Sequence, residues 1–205
     1  CGERLFTNLG VPSTLAESYP NLLLRRWHPS LVPRLPVDAY KQQRGHVLIV
    51  GGCKGMGGAA ILGAETALRS GAGLVTVATD PANLSGLLAR MPEAMWVDVL
   101  GADAEPTLSS AMAAASVVVL GPGLGRGAWA QQVIGALANY DGPLVIDADG
   151  LYWLADTAQA RTLKNRGAPL FLTPHAGEAA RLLECSTGEI VSNPRQAVID
   201  MTNRF

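Results

Sequence analysis

The chain has 205 residues, of which 48% are hydrophobic and only 16% are charged, a composition that favours a globular unit with a well-buried sheet and excludes a disordered chain. The formal net charge of −1 argues against a charge-driven contact with nucleic acid or with a membrane surface. No apolar run approaches the roughly 20 residues needed to cross a bilayer, and the N-terminus lacks the pattern of a signal peptide.

The predicted elements alternate along the chain from residue 46 onward. Residues 1–36 show no clear helical or strand period and contain several prolines, which is typical of a linker or a wrapping segment. Strands are predicted at 47–50, 73–78, 94–99, 117–120, 143–146 and 169–172, and helices at 59–70, 81–90, 106–115, 126–139, 151–158, 176–184 and 194–203. This alternation predicts an α/β fold with a parallel sheet and right-handed crossovers. No strand follows the last predicted helix, so either this helix closes the domain or the chain is cut short.

The stretch from Val117 to Gly125 (VVVLGPGLG) organises the prediction. Four apolar residues predict a strand that is buried on both faces, and three glycines at alternate positions follow it directly. A buried strand that runs into a glycine turn and then a helix presents backbone N–H groups at the carboxyl edge of a parallel sheet. Open α/β folds bind anionic ligands at this edge, and glycines allow a ligand to approach closely.

An earlier glycine loop resembles the nucleotide loop of short-chain dehydrogenases. Gly51, Gly55 and Gly57 follow a strand and precede a helix, and Asp80 ends the next strand, where a Rossmann fold places its ribose-binding acid. The alternative is a tight turn that binds no ligand. None of the four tyrosines has a lysine four residues later, so the Tyr-x-x-x-Lys pair of those dehydrogenases is absent.

Polar residues also end two later strands. Asp147 and Asp149 could hold Mg²⁺ or orient a hydroxyl, while Asp149 could instead simply cap the following helix. Thr173 and His175 follow the next strand, and His175 is expected to face the same edge as the glycine loops. Glu178 favours the first turn of the following helix through its dipole.

The cysteines and histidines are scattered along the chain. Three widely separated cysteines predict free thiols in a reducing compartment, and hence a cytoplasmic location. Three separated histidines offer no transition-metal cluster.

Four segments together resemble one known family. HVLIVGGCKGMGGAAILGAETALRSGAGLVTVAT, VVVLGPGLG, LVIDADGL and LTPHAGEAARLL occur in this order within about residues 41–190. The chain therefore resembles the dehydratase domain of the NAD(P)H-hydrate repair enzymes, in the ribokinase-like superfamily. Residues 1–36, with TNLGVP, resemble a linker or the tail of the epimerase-like domain that precedes the dehydratase in bifunctional members. Residues 37–205 then form a partial dehydratase domain, with a three-layer fold around a mostly parallel sheet that is incomplete at its C-terminus.

The resemblance implies the ADP- or ATP-dependent dehydration of (6S)-NAD(P)H hydrate back to NAD(P)H, with Mg²⁺. A nucleoside phosphate phosphorylates the hydroxyl of the hydrate, and elimination restores the cofactor. The family pattern implies that the hydrate contacts Gly57, Gly58, Ala59, Gly123, Gly125 and His175. It places Asp147, Asp149 and Thr173 near the nucleotide phosphates, with Asp147 and Asp149 as candidate Mg²⁺ ligands. The expected partners are small-molecule nucleotides and further copies of the chain in a homo-oligomer, with no nucleic acid and no membrane.

Two departures from the family pattern bear on activity. Tyr152 stands where the family usually has asparagine. The Lys-Gly segment for the adenine nucleotide and the later Gly-Asp turn, whose aspartate is the expected catalytic base, do not occur in residues 1–205. We therefore expect impaired catalysis by this chain alone. The two alternatives are a Rossmann-type NAD(P)-dependent oxidoreductase and a non-catalytic nucleotide-binding remnant.

Overall fold

The computed structural model describes residues 35–101, 103–137, 140–156 and 167–205. The chain divides into two units, Cys1–Val37 and Asp38–Phe205, and the second is described here. The prediction that residues 1–36 are a linker or the tail of an epimerase-like domain falls almost wholly outside the described residues.

The larger unit is built on a six-stranded sheet with the order β3-β2-β1-β4-β5-β6. All five strand pairs are parallel, which confirms the predicted α/β class. The strands are β1 (His46–Val50), β2 (Leu74–Thr79), β3 (Met95–Asp98), β4 (Val117–Leu120), β5 (Leu144–Ile146) and β6 (Leu170–Leu172). The α-helices are α1 (Gly57–Arg69), α2 (Leu84–Arg90), α3 (Ala104–Ala114), α4 (Ala128–Leu137), α5 (Asp149–Asp156), α6 (Ala176–Leu183), α7 (Thr187–Ser192) and α8 (Pro194–Arg204).

One face of the sheet packs against α1 and α2. Its buried cluster joins Ile49 of β1 and Val77 of β2 to Ala60 and Ala64 of α1. The small alanines allow α1 to lie close to the central strands, which places the N-terminus of α1 beside the carboxyl end of β1.

The opposite face holds the larger core. Leu48, Val118 and Leu144 form one row across β1, β4 and β5, and all three side chains are fully buried. The helices that cover this row contribute Leu108, Met112, Val133, Leu137, Leu151 and Leu182. Burial on both faces explains why the central strands are continuous apolar runs in the sequence.

The order of the strands reverses between β1 and β4. The chain moves from β1 to β2 and β3 on one side, and then returns to build β4, β5 and β6 on the other side. The connections after β1 and β4 therefore diverge and leave a crevice at the carboxyl ends of these two strands. Open α/β sheets bind their ligands at such a switch point.

On the α1 face, coverage decreases towards β6. Val119, Val145 and Phe171 form one row across β4, β5 and β6. Val119 and Val145 are half-buried, while Phe171 is 56% exposed. This half of the sheet therefore presents an apolar surface next to the switch point.

Two short elements were not predicted. One is the 3₁₀-helix Lys41–Arg44, and the other is α7, whose six residues are too few for a helical period to be visible. The Ser186 hydroxyl accepts the Glu189 N–H at 3.2 Å, while the Glu189 carboxylate accepts the Ser186 N–H at 2.8 Å. This capping box was the feature of the sequence from which α7 could have been predicted. The predicted helices 126–139 and 151–158 extend into residues outside the described part of the chain.

Within the described ranges, no helix combines the length and the apolar character that crossing a membrane requires.

Candidate functional site

Two glycine loops meet at the switch point. The first follows β1 and the second follows β4, and two backbone hydrogen bonds join them. Gly52 N–H donates to the Pro122 carbonyl at 2.9 Å, and Cys53 N–H donates to the Gly123 carbonyl at 2.7 Å. The two loops therefore form one hydrogen-bonded unit at the carboxyl edge of the sheet.

Contacts within the protein explain two of the predicted glycines. Gly121 has φ +123°, and a Cβ atom there would collide with the Asp147 carbonyl oxygen. Gly123 has φ +63°, and a Cβ atom would lie 2.5 Å from the Met56 carbonyl oxygen. Backbone therefore fills the space that a side chain would need at these two positions, which gives both glycines a structural reason. The close approach of a ligand to the second loop stays a prediction.

The open position is at the start of α1. Gly58 is exposed, and an added Cβ would have no heavy atom within 4 Å. Its neighbour Ala59 is also exposed, whereas Gly57 is buried against the amide of Asn83. Met56, the N-cap residue, makes no side-chain capping bond. The Met56 side chain therefore leaves the first N–H groups of α1 uncapped, and these groups can donate hydrogen bonds to an anion.

An open groove runs beside these loops along the α1 face of the sheet. It has a volume of about 530 Å³, and its apolar lining includes Ile49, Leu62 and Val119. Gly123 and Asp147 also line it. The groove thus combines an apolar wall, which suits a heterocyclic ring, with the backbone of the second glycine loop, which suits the polar groups attached to such a ring.

The two predicted carboxylates contact different loops. Asp149 Oδ2 accepts the Gly125 N–H at 2.9 Å, while Asp147 Oδ1 accepts the Thr173 hydroxyl at 2.8 Å. Asp149 is the first residue of α5, yet its carboxylate fixes the loop after β4. Asp147 ties the end of β5 to the end of β6. Both carboxylates therefore position the edge of the sheet.

Protein groups already engage both of these carboxylates in part, and their role as Mg²⁺ ligands stays a prediction. Asp149 Oδ1 lies 3.7 Å from Arg126 Nε, and one oxygen of each carboxylate already accepts a hydrogen bond. Across the described ranges, no group of three or more His, Cys, Asp or Glu side chains could hold a metal ion.

His175 caps α6. Its Nδ1 accepts the N–H groups of Gly177 and Glu178 at 3.0 and 3.4 Å, so the proton is assigned to Nε2. Glu178 closes a capping box by accepting the His175 N–H at 2.9 Å, and its other oxygen lies 3.3 Å from Nε2. The His175 side chain is 73% exposed. It is thus accessible at the edge while serving as a cap, and its contact with the hydrate stays a prediction.

The Rossmann-like signal at Asp80 has a local explanation. Asp80 Oδ1 accepts the Ala82 N–H at 2.8 Å and caps the 3₁₀-helix Pro81–Asn83. Asn83 was missed in the sequence analysis. Its side-chain amide donates a hydrogen bond to the Gly52 carbonyl at 2.6 Å. Asn83 therefore supports the first glycine loop, and Asp80 starts the turn that positions it.

Cys53 lies in the first glycine loop. Burial, and next the nearby carboxylates of Asp149 and Asp80, raise the pKa of its thiol above the usual range of cysteine. The thiolate is the nucleophilic form of cysteine. Burial and these carboxylates therefore favour the protonated thiol of Cys53 over the thiolate.

One side-chain cluster at this edge was not predicted. The guanidinium carbons of Arg126 and Arg181 lie 3.9 and 5.0 Å from the centre of the Tyr152 ring. Trp153 packs edge-on against Tyr152, and its Nε1 donates to the Gly125 carbonyl at 3.0 Å. The only sequence signal was Tyr152, which departs from the family pattern.

The fold and the site define a class. A parallel sheet with two joined glycine loops and an exposed helix N-terminus at its switch point is the architecture of α/β proteins that bind phosphorylated ligands at the carboxyl edge.

Comparison with known proteins makes this class specific. A sequence model described as NAD(P)H-hydrate dehydratase matches residues 47–204. The bifunctional NAD(P)H-hydrate repair enzyme of Coxiella burnetii is 39% identical over 208 residues, covering 100% of this chain and 41% of that protein. The chain therefore belongs to the NAD(P)H-hydrate dehydratase family, and it spans about two fifths of the length of this relative.

Solved structures agree with this assignment. A ribokinase-like superfamily protein from Enterococcus faecalis has a TM-score of 0.69 and 32% identity, over 80% of this chain and 57% of that chain. The ADP/ATP-dependent NAD(P)H-hydrate dehydratase of Bacillus subtilis, co-crystallised with ATP and Mg²⁺, has a TM-score of 0.65 and 25% identity, over 80% and 56%. The predicted ribokinase-like architecture is confirmed.

Proposed function

We propose that this chain acts in the repair of nicotinamide nucleotides, by the ADP- or ATP-dependent dehydration of (6S)-NAD(P)H hydrate. One observation carries the proposal beyond family membership. At the exposed start of α1, Ala59 directly follows Gly58, lies beside Gly123 of the second glycine loop and lines the groove of the switch point. A dianionic pyrophosphate with an attached ring matches both parts of this surface.

The hydrate is proposed to contact the N-terminus of α1 and the second glycine loop. The residues assigned to it are Gly57, Gly58, Ala59, Gly123, Gly125 and His175. Of these, Gly58, Ala59 and His175 are exposed at the edge, which supports direct contact. The rigidity of Gly123 and Gly125, held by Cys53 N–H and by Asp149, supports a role in presenting backbone groups in a fixed geometry.

The proposed chemistry has two steps. The hydroxyl of the hydrate loses its proton to a base or to water and attacks the terminal phosphorus of ADP or ATP, so that a new O–P bond forms while the P–O bond to the leaving AMP or ADP breaks. The C–O bond then breaks with loss of phosphate, and a proton leaves the neighbouring carbon to restore the ring double bond. The N–H groups of α1 and the second loop would stabilise the anionic oxygens.

Asp147, Asp149 and Thr173 are proposed to lie near the phosphates of the nucleotide. Asp147 accepts the Thr173 hydroxyl and Asp149 accepts the Gly125 N–H, and these contacts favour a positioning role for both carboxylates. Magnesium is proposed to arrive with the nucleotide phosphates, as it commonly does, and no step is assigned to magnesium held by Asp147 and Asp149 alone.

The same residues bear on two other candidate functions, a Rossmann-type oxidoreductase and a non-catalytic nucleotide-binding module. A Rossmann-type oxidoreductase would need Asp80 for a ribose, and that carboxylate already caps a 3₁₀-helix. A non-catalytic nucleotide-binding module is favoured by the engagement of both Asp147 and Asp149. It would bind the hydrate as proposed but would not dehydrate it.

The test is to incubate the chain with NADPH hydrate, Mg²⁺ and either ADP or ATP, and to follow the absorbance of restored NADPH. Nucleotide-dependent recovery supports the dehydratase, and hydrate binding without recovery supports the binding module. Absence of hydrate binding contradicts both. The expectation of impaired turnover stays a prediction that this assay measures. The cytoplasmic location and the homo-oligomer also stay predictions.

A further inference from the structure

Two arginines from different elements meet on one aromatic ring. Arg126 follows the second glycine loop, and Arg181 lies in α6. Their guanidinium carbons approach the Tyr152 ring centre to 3.9 and 5.0 Å. Such a ring attracts cations through its face and leaves the in-plane N–H groups of each guanidinium available to an oxyanion.

The charges around this cluster do not balance within the described residues. Arg126 lies 3.7 Å from Asp149, whose carboxylate also accepts the Gly125 N–H. Among the ion pairs of the described residues, none includes Arg181. The neighbouring carboxylate of Glu178 is held by His175 in the cap of α6. Of the two cations on the Tyr152 ring, Arg126 therefore has one partly engaged carboxylate nearby and Arg181 is in none of the ion pairs of the described residues, so an anionic ligand would neutralise positive charge here.

The cluster lies at the carboxyl edge of the sheet. Tyr152 is in the first turn of α5, directly after β5, and Arg126 is one residue beyond Gly125. Side chains of a helix lean towards its N-terminus, which directs Arg181 towards the start of α6 and hence towards the same edge. The Arg126 side chain is 56% exposed, so a ligand in solution can reach it.

We propose that Arg126 and Arg181, held by Tyr152, form a clamp for the polyphosphate chain of a nucleotide. The assignment of the clamp to a nucleotide rests on the proposed function. The shared chemistry is a diphosphate or triphosphate, which either ADP or ATP or the pyrophosphate of the hydrate can supply. Guanidinium groups suit this task because their donors match phosphate oxygens in pairs.

The test measures the binding of inorganic tripolyphosphate by calorimetry at fixed ionic strength. Arg181→Gln and Arg126→Gln are each expected to raise Kd about tenfold, the effect of losing one charge-assisted hydrogen bond. Tyr152→Leu removes the ring and should weaken binding similarly, while Tyr152→Phe keeps the ring and should restore most of it. Arg195→Gln in α8 removes an exposed arginine elsewhere and controls for net charge.

The clamp is overturned if the parent chain does not bind tripolyphosphate, or if Arg181→Gln and Tyr152→Leu bind it as Arg195→Gln does. Titrations with ADP and with NADPH hydrate then identify the source, because the ligand that uses the clamp shows the same loss in Arg181→Gln. Gly58→Leu separates the two proposals. In one outcome, Gly58→Leu loses hydrate binding, while Arg181→Gln keeps both hydrate binding and tripolyphosphate binding. This outcome overturns the clamp and leaves the proposed function intact. Tripolyphosphate binding that depends on Arg181, with no hydrate binding, supports the clamp and contradicts the proposed function.

Discussion

Substitution of Gly58 is expected to change the stability of the fold and the affinity for the ligand in opposite directions. A methyl group at this position enters open space, since no heavy atom lies within 4 Å of the added Cβ. The residue lies in the first turn of α1, where replacing glycine by alanine reduces the freedom of the unfolded chain. Gly58→Ala should therefore raise the free energy of unfolding by about 0.5 kcal/mol, as measured by urea denaturation.

The same substitution should weaken ligand binding. If a phosphate group lies against the start of α1, a side chain at Gly58 displaces it from the backbone N–H groups of that turn. The loss of two charge-assisted hydrogen bonds costs about 3 kcal/mol, which corresponds to a rise in Kd of roughly 150-fold. We expect this full effect for Gly58→Leu and about a tenfold rise for Gly58→Ala, measured by titration with NADPH hydrate.

Gly135 provides the matched control. It is also a helical glycine with no heavy atom within 4 Å of an added Cβ, and it lies within α4 rather than at a helix start. Gly135→Leu should leave hydrate affinity unchanged. If Gly58→Leu binds the hydrate as tightly as Gly135→Leu does, with both variants folded, the proposed position of the ligand is wrong.

Three further predictions concern two contacts of the glycine loops and one ion pair on the surface, in which Arg90 Nε donates to the Glu65 carboxylate at 2.8 Å. Gly123→Ala forces an alanine into a left-handed conformation against backbone, so the free energy of unfolding should fall by about 2 to 3 kcal/mol; an unchanged urea midpoint would contradict the packing argument. Asp149→Ala leaves the Gly125 N–H without its acceptor and should cost about 1 to 2 kcal/mol, whereas Asp149→Asn, which keeps an acceptor, should cost less in the same experiment. The hydrogen bond from Arg90 lowers the pKa of Glu65. The stability that this pair contributes is therefore present above the ordinary glutamate pKa and is lost as the pH falls through the lowered value. In Arg90→Gln, an NMR titration should show the Glu65 pKa moving upward, and an unmoved pKa would refute the assignment.

The fold was predictable because its signals are local. Residues 48–50 are buried on both faces of the sheet, whereas in Val117–Leu120 only Val118 and Leu120 are buried and the other two valines are half-buried. Each run is followed by a turn and a helix, so the pattern of the sequence reports the architecture directly. The short helix α7 was missed because six residues carry too little periodicity, although Ser186 and Glu189 already formed its capping signal.

The site was predictable only in part. The sequence located both glycine loops, but it could not show that Gly123 packs against backbone while Gly58 remains open, because that difference depends on a contact between distant loops. Asp80 matched a Rossmann pattern through its position alone, and its actual partner is a local N–H group. The cluster on Tyr152 joins residues from three separate segments, so no local pattern could reveal it.

The most direct test of the account is an NMR titration of the isotope-labelled 21.4 kDa chain with (6S)-NADPH hydrate, following the backbone amides at the start of α1. We predict saturable shifts of the Gly58 and Ala59 amides, with the Gly135 amide unmoved. Shifts confined to other parts of the chain, or no shifts at saturating hydrate, would contradict the claim that this edge of the sheet binds the hydrated nucleotide.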